Sequence, residues 1–99
     1  MNQIQITNIT ETTVEYNFTT VKVCSKNIII TVDNNDTIIS VKFIGGCNGN
    51  GKAIDRLVKG LTLQQVVQKL KGVKCGNNTT SCADQLAVAC ELIMNIQEA

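Results

Sequence analysis

Residues 27–43 read NIIITVDNNDTIISVKF, which is two β-branched runs joined by four residues that favour turns. Valine, isoleucine, threonine and phenylalanine are typical of strands, whereas aspartate and asparagine bond to their own nearby backbone and favour turns. The stretch therefore predicts a β-hairpin with strands at residues 27–32 and 37–43 and a turn at residues 33–36.

Apolar and polar residues alternate in the sequence that precedes this hairpin. In residues 13–19, TVEYNFT, every second side chain is apolar, which is the pattern of a strand with one buried face. The segment from Ile4 to Ile6 repeats the pattern and predicts a short edge strand, although Asn8 breaks it soon afterwards. The sheet is therefore expected to have three or four strands.

Helical periodicity replaces the strand pattern after the glycine-rich residues 45–51. Thr62 and Ser81 are predicted N-caps, and Gly60 and Gly72 are predicted helix ends. The three apolar faces consist of Ala53, Ile54, Leu57 and Val58 in the first helix, Leu63, Val66, Val67 and Leu70 in the second, and Leu86, Ala87, Cys90, Ile93 and Met94 in the third.

The order of these elements, strands first and helices afterwards, predicts an α+β fold in which an antiparallel sheet is covered on one face by three C-terminal helices. The chain has 99 residues, of which 43% are hydrophobic, and this is enough for one core. We therefore expect a single domain over residues 1–99, with its core within residues 13–96.

Composition excludes several classes of function. The net charge is +1 and aromatic residues make up 3% of the chain, so neither a basic surface for nucleic acid nor a stacking platform for bases is expected. The absence of histidine excludes Ser-His and Cys-His catalytic pairs. No segment approaches the roughly 20 apolar residues of a membrane span, and we expect a cytoplasmic protein. In the cytoplasm, its 5 cysteines favour metal binding or redox chemistry over structural disulfides.

Four of the cysteines are expected to meet at one end of the sheet. A turn centred on residues 34–35 gives the hairpin pairs an index sum near 69, so Cys24 lies opposite a residue close to position 45 and emerges beside Cys47. Cys82 lies in the first turn of the last helix, where backbone N–H groups favour a negative thiolate. Cys75 lies seven residues earlier, in a predicted loop that can fold over the same place.

These four cysteines are the predicted ligands of one site, and Cys90 is not, because it lies on the apolar face of the last helix and is expected to pack as a small hydrophobic side chain. A site of four thiolates suits zinc or an iron–sulfur cluster, and the choice between them stays open. The predicted ligands of the metal or cluster are Cys24, Cys47, Cys75 and Cys82.

Two other functions stay open at this point. One is a thiol–disulfide module in which Cys82 is the attacking thiol and Cys75 or Cys47 is the resolving thiol. The other is a module that binds a protein partner and uses its cysteines only to stabilise the fold. No enzymatic activity is assigned to the chain itself.

The segment from Cys24 to Leu92 resembles the TSCPD domain, a small family named after a motif that reads Thr80-Ser81-Cys82-Ala83-Asp84 in this chain, with Ala83 where the family has proline. Other family segments follow the family order: Val23-Cys24-Ser25-Lys26, Gly45-Gly46-Cys47-Asn48-Gly49-Asn50, Leu57-Val58-Lys59-Gly60 and Val73-Lys74-Cys75-Gly76. The family occurs alone and at the C-terminus of some cobalamin-dependent ribonucleotide reductases. The resemblance implies an accessory module related to these enzymes and not a reductase, whose catalytic barrel is far longer than this chain.

A more distant resemblance is to the NifU/IscU-like iron–sulfur scaffolds, which are similar in element order and in the positions that correspond to Cys24, Cys47 and Cys82. Ser81 stands where many scaffolds carry a histidine, and the resemblance implies that Cys75 takes the place of that ligand. Taken together, the resemblances to the TSCPD domain and to the scaffolds imply a protein partner, either a ribonucleotide reductase or a cluster acceptor, and a homodimer with a site shared between two chains stays open.

Overall fold

The computed structural model describes residues 3–20, 26–45, 48–73 and 81–98. Four strands precede three helices: β1 (Gln3–Ile9), β2 (Thr13–Thr19), β3 (Asn27–Asp33), β4 (Ile38–Ile44), α1 (Asn48–Val58), α2 (Leu63–Leu70) and α3 (Cys82–Glu98). The strands form one antiparallel sheet in the order β1-β2-β3-β4. The predicted α+β fold, with a sheet followed by three helices, is confirmed.

The first strand is longer than its sequence pattern predicts. β1 continues past Asn8 because a register shift between Ile6 and Asn8 accommodates an extra residue without ending the pairing with β2. The hydroxyl of Thr7 donates a hydrogen bond of 2.8 Å to the carboxylate of Glu15 on β2. This bulge explains why the sheet has four full strands although the alternation in β1 is interrupted.

The β3–β4 hairpin has a different register from the one that a turn centred on residues 34–35 predicts. Asn27 pairs with Ile44, an index sum of 71, whereas the predicted sum is near 69. The turn is wider because the Asp33 carboxylate accepts hydrogen bonds from the N–H groups of Asn35 and Thr37, over 2.8 and 3.0 Å. A register shift between Thr31 and Val32, where β4 carries an extra residue, adds to the effect of the turn. Together they place the partner of Asn27 two positions further along β4 than the symmetric turn predicts.

The core lies on one face of the sheet. Alternate side chains of β3 are fully buried, and the intervening side chains are only partly buried. The buried side chains of the sheet and of the helices form one cluster, which consists of Tyr16, Phe18, Ile28, Ile30, Val32, Ile38, Val41, Val58, Leu63, Val66, Leu86, Ala89, Cys90 and Ile93. No helix within the described ranges is long and apolar enough to cross a membrane.

The apolar face predicted for α1 is partly wrong. Val58 is buried and Ile54 is partly buried, as predicted, but Ala53 is exposed and Leu57 is 75% exposed. Gly51, which the apolar pattern does not include, is buried. The helix is therefore rotated, so that the face containing Gly51 and Val58 contacts the sheet.

Two contacts with the edge of β4 account for this rotation. The Asp55 carboxylate accepts a hydrogen bond of 2.7 Å from the backbone N–H of Val41. A Cβ atom at Gly51 would lie 3.2 Å from the side chain of Phe43, so the absence of a side chain lets the helix approach the strand. Edge strands have backbone groups without strand partners, and here a helix carboxylate binds one of them.

The second and third helices begin at the predicted caps. Thr62 and Gln65 form a reciprocal capping box at the start of α2. The predicted faces are confirmed for Leu63 and Val66, and in α3 the side chains of Leu86, Ala87, Cys90 and Ile93 are fully buried while Met94 is partly buried. Cys90 thus belongs to the core, as its position on the helix predicts.

We expect Asp55→Ala to lower the free energy of unfolding by about 1–3 kcal/mol, because it leaves the Val41 N–H without its acceptor. Asp55→Asn is the matched control, since its amide oxygen can accept the same hydrogen bond. Urea unfolding measures both variants. Equal losses for the two substitutions would show that the hydrogen bond to β4 does not account for the contribution of Asp55.

Burial raises the pKa of the Cys90 thiol from 9.0 to about 12, with a smaller contribution from the nearby charge of Glu91. Above pH 9 the unfolded chain releases this proton while the native protein retains it, so the stability that Cys90 contributes falls as pH rises towards 12. Cys90→Ala has no thiol to titrate. Above pH 9, the unfolding free energy of wild type should therefore fall relative to that of Cys90→Ala. The fall should be at most about 1.4 kcal/mol per pH unit. Parallel stability curves for the two proteins, measured with a reductant present, would contradict this.

Candidate metal centre

Of the four predicted ligands, only Cys82 lies within the described residues. Cys24, Cys47 and Cys75 fall in residues 21–25, 46–47 and 74–80, outside the described ranges. Among the described residues, no group of three or more cysteine, aspartate or glutamate side chains could hold a metal ion. The structure therefore describes the residues next to Cys24, Cys47 and Cys75 in sequence, and not these three cysteines themselves.

The residues that flank Cys24 and Cys47 are joined by hydrogen bonds. Asn27 and Ile44 are paired across β3 and β4. The N–H of Lys26 donates a 2.7 Å hydrogen bond to the carbonyl oxygen of Ile44. The carbonyl oxygen of Lys26 accepts hydrogen bonds from the N–H and the hydroxyl of Thr20, over 3.1 and 2.9 Å. The end of β2, the start of β3 and the end of β4 are thus held together at one end of the sheet.

Cys82 is the first residue of α3 and is partly buried. The helix begins after Ser81, whose hydroxyl accepts a 3.1 Å hydrogen bond from the N–H of Asp84. The carbonyl oxygen of Ser81 accepts the N–H of Gln85, over 2.8 Å. The predicted cap at Ser81 is therefore confirmed, and Cys82 lies in the first turn of the helix.

Two further hydrogen bonds join the start of α3 to the end of α2. The Ser81 hydroxyl donates to the carbonyl oxygen of Val73, over 2.6 Å. A carboxylate oxygen of Asp84 accepts the N–H of Gly72, over 2.7 Å. Gly72 has a φ of +87°, a conformation that favours glycine. We call these two bonds the α2–α3 end contacts.

Sequence reasoning did not predict the α2–α3 end contacts. The spacing of Ser81 and Asp84 predicts only a contact between these two residues at the start of the helix. In the structure, Ser81 also contacts Val73, which is 8 residues away in sequence, and Asp84 contacts Gly72, which is 12 residues away. The relevant indication in the sequence is Gly72, because a glycine after a helix predicts a turn whose backbone groups need partners outside the helix. No spacing rule identifies those partners.

The helices run between the two ends of the sheet. α2 starts beside the β3–β4 turn, where the N–H of Leu63 donates to the carbonyl oxygen of Asp36. α3 starts beside the other end of α2, where the Ser81 hydroxyl donates to the carbonyl oxygen of Val73. The side chain of Gln97, near the end of α3, lies close to Tyr16 on β2. Burial raises the pKa of the Tyr16 phenol, the side chain of Gln97 opposes this, and the charge of Asp36 adds to it. The first turn of α3 therefore lies towards the end of the helical layer that is remote from the β3–β4 turn.

The charged side chains are unevenly distributed along the sheet. Lys26 and Lys42 are exposed near the end where β3 starts and β4 ends, and Lys52 is exposed in the first half of α1. The acidic residues Asp33 and Asp36 lie at the opposite end, in the β3–β4 turn. The end of the sheet that adjoins Cys24 and Cys47 in sequence is therefore the more basic one, although the net charge is only +1.

A cleft of about 340 Å³ lies between β4 and α1 at this basic end. Its lining residues are Val41, Lys42, Phe43, Ile44, Gly51, Lys52 and Asp55. These residues precede and follow the glycine-rich segment that contains Cys47.

Comparisons with known proteins agree with the sequence motifs. A family model for the TSCPD domain matches residues 5–94, a range that includes all five cysteines and both halves of the fold. No curated protein and no solved structure matches the chain. The similarity to iron–sulfur scaffolds therefore stays a prediction. The match extends over most of the sheet, over α1 and α2 and over most of α3, and the chain belongs to the TSCPD domain family.

Proposed function

We propose that this protein holds a zinc ion or an iron–sulfur cluster through the thiolates of Cys24, Cys47, Cys75 and Cys82. The observation that carries the proposal is the pairing of Asn27 with Ile44, because each of these strand ends is three residues from a cysteine. The family membership is established by the comparison and is compatible with this function, but the function is our inference from the flanking geometry.

Covalent reach limits the separation of the first two thiols. Paired Cα atoms in an antiparallel sheet are about 5 Å apart. Three residues extend the chain by at most about 10 Å, so Cys24 and Cys47 are both restricted to the surroundings of the same pair of strand ends. The observed register has an index sum of 71, which is also the sum of 24 and 47. It therefore supports the proposal better than the predicted sum of 69, under which Cys24 would correspond to position 45.

The second pair of thiols has a similar restriction. Cys82 directly follows Ser81, and Cys75 is two residues after Val73. The Ser81 hydroxyl is 2.6 Å from the Val73 carbonyl oxygen, and two residues extend the chain by at most about 7 Å. The first turn of α3 lies remote from the β3–β4 turn, and this supports an approach of the second pair to the first.

The donor chemistry supports a soft metal. The chain offers no imidazole, and thiolates are the preferred ligands of zinc and of iron–sulfur clusters. Four thiolates around either group leave a net negative charge, which the nearby cations Lys26, Lys42 and Lys52 would stabilise. The first turn of a helix favours negative charge at Cys82 in the same way. A reducing compartment such as the cytoplasm would keep the four thiols available.

The family resemblance supports an accessory role beside a partner protein, either a ribonucleotide reductase or a cluster acceptor. The basic end of the sheet would favour an acidic surface on such a partner. A homodimer in which two chains contribute to one site is the alternative assembly. Sedimentation analysis with and without bound metal distinguishes a site within one chain from a shared one.

A thiol–disulfide module is the second candidate, because the Ser81 hydroxyl contacts Val73, two residues before Cys75, and Cys82 is partly exposed. Cys82 would attack a partner's disulfide, and Cys75 or Cys47 would resolve the mixed disulfide by expelling the partner's thiolate. Thiol titration before and after a mild oxidant tests this candidate. Absence of an intramolecular disulfide would exclude it.

We expect each of the substitutions Cys24→Ser, Cys47→Ser, Cys75→Ser and Cys82→Ser to reduce the bound metal per folded chain, since each removes a thiolate ligand. Cys90→Ser is the matched control: it should retain the metal and cost about 1–3 kcal/mol of stability, because it buries a hydroxyl in the core. Anaerobic purification followed by elemental analysis and circular dichroism gives metal content and folded fraction. The proposal fails if wild type is folded and metal-free, if Cys47→Ser leaves the stoichiometry unchanged, or if Cys90→Ser removes the metal.

A further inference from the structure

The two edges of the sheet differ in how the rest of the chain covers them. At the β4 edge, the N–H of Ile38 donates to the carbonyl oxygen of Leu61 over 2.8 Å, and the carbonyl oxygen of Ile38 accepts the N–H of Gly60 over 3.0 Å. The Asp55 carboxylate binds the N–H of Val41 at the same edge. Among the described residues, no helix, loop or side chain makes a hydrogen bond with the outer edge of β1. The backbone of β1 is therefore open to a further strand.

The pairing of β1 with β2 determines which backbone groups face outwards. Thr20, directly after β2, bonds through its N–H to the chain that enters β3. Neighbouring residues of a strand direct their backbone groups to opposite sides, so Phe18 and Tyr16 also direct theirs to β3. Their partners on β1, Ile4 and Ile6, therefore direct their N–H and carbonyl groups away from β2. These groups are in the right place to bind a second strand.

The side chains of β1 divide between the two faces of the sheet. Ile6 pairs with the buried Tyr16, and Ile9 pairs with the partly buried Val14. Both isoleucines therefore lie on the face that the helices cover, and the bulge between them keeps them there although they are three residues apart. The helices leave this edge uncovered, since Ile6 is 47% exposed and Ile9 is 66% exposed. Gln5 is exposed on the opposite, open face.

The composition of β1 favours pairing with a copy of itself over pairing with a charged segment. Residues 1–10 contain no charged residue and no proline. Edge strands that stay unpaired commonly carry lysine or proline, or are distorted by a bulge. Here the bulge follows Ile6, so it leaves the regular part of the strand able to pair. Two uncharged strands do not repel each other, and this edge has no charge that would select an ionic segment of another protein.

We propose that two copies of this chain pair through their β1 strands, which run antiparallel to each other about a two-fold axis perpendicular to the sheet. Ile4 of each copy lies opposite Ile6 of the other in two hydrogen-bonded pairs, and Gln5 lies opposite Gln5 on the open face. The isoleucines extend one apolar surface across both copies, and the uncharged amides meet each other. We call this assembly the β1 dimer, in which the two sheets become one continuous sheet.

The β1 dimer is independent of the metal function proposed above. β1 and β4 are at opposite edges of the sheet, and the strand ends next to Cys24 and Cys47 in sequence belong to β3 and β4. The β1 dimer therefore depends neither on the thiolates nor on bound metal, unlike a dimer with a shared site. A wild type that dimerises through β1 and binds no metal would contradict the proposed function and support the β1 dimer.

Sedimentation velocity over a series of concentrations, with a reductant present, tests the β1 dimer. Gln5→Lys places two positive charges opposite each other across the two-fold axis, so the dimer dissociation constant should rise at least about tenfold. Thr12→Lys is the matched control, because it adds the same charge at an exposed position between β1 and β2, and it should leave the constant unchanged. A monomeric wild type, or a dimer that Gln5→Lys does not weaken, would overturn the proposal.

Disulfide cross-linking of Gln5→Cys provides a second test, in which the proposal predicts a gain. In a non-hydrogen-bonded antiparallel pair the two Cα atoms are about 4.5 Å apart, which is within the range that a disulfide spans. Oxidised glutathione should therefore join the two introduced thiols. The two electrons and two protons that these thiols lose appear in two molecules of reduced glutathione.

The cross-link can be measured separately from the native cysteines. Trypsin releases residues 1–22, which contain no native cysteine, so mass spectrometry identifies the cross-linked peptide directly. Thr12→Cys lies in the same peptide and is the matched control. The cross-linked peptide should form at least about tenfold faster from Gln5→Cys than from Thr12→Cys, because the β1 dimer raises the effective concentration of the thiols at position 5. Equal rates for the two variants would overturn the proposal.

Discussion

The pairing of Asn27 with Ile44 aligns the three strand ends at one end of the sheet. It determines that the chain leaves β4 next to the place where it enters β3, and so it determines which two cysteine-containing segments start side by side. The hydrogen bond from Lys26 to Ile44 and those from Thr20 to Lys26 extend this constraint to the end of β2. A second set of contacts holds the start of α3 beside the end of α2. There Ser81, the residue before Cys82, caps α3 and also binds the turn after α2.

If a four-thiolate site is assembled from two pairs of cysteines, part of the entropic cost of bringing the ligands together is met when the domain folds, and the remainder is met when the metal binds. In the proposed site, the hydrogen bonds of the residues that flank each pair of cysteines would restrict that pair when the domain folds, and binding of a metal would then need only the approach of one pair to the other. Metal binding of this kind contributes directly to folding free energy, because the unfolded chain has no preformed site. The excess of lysine near the strand ends would act in the same direction by offsetting the negative charge of the thiolates.

Local patterns in the sequence were sufficient for the elements and for most of the core. Alternation predicted β2, turn residues predicted the hairpin, and caps at Thr62 and Ser81 predicted the starts of α2 and α3. The face of α1 could not be predicted in this way, because Leu57 is apolar and exposed while Gly51 is buried. The reason is a tertiary contact: a carboxylate binds the edge of β4, and a helix without a side chain at position 51 lies against Phe43.

In the candidate site, too, local sequence patterns predicted some features and tertiary contacts determined the others. The positions of Cys82 and Cys90 followed from helix periodicity and capping, whereas the register of the hairpin depended on the hydrogen bonds that Asp33 makes within its turn and on the register shift between Thr31 and Val32. The contacts of Ser81 and Asp84 with the end of α2 join residues distant in sequence, and no local rule identifies them.

X-ray absorption spectroscopy of the metal-loaded protein is the most direct test of the proposed four-thiolate site. A site of four thiolates should give four sulfur neighbours per metal ion, at about 2.3 Å if the ion is zinc. Coordination mainly by oxygen, or by two sulfur atoms or fewer, would contradict a four-thiolate site.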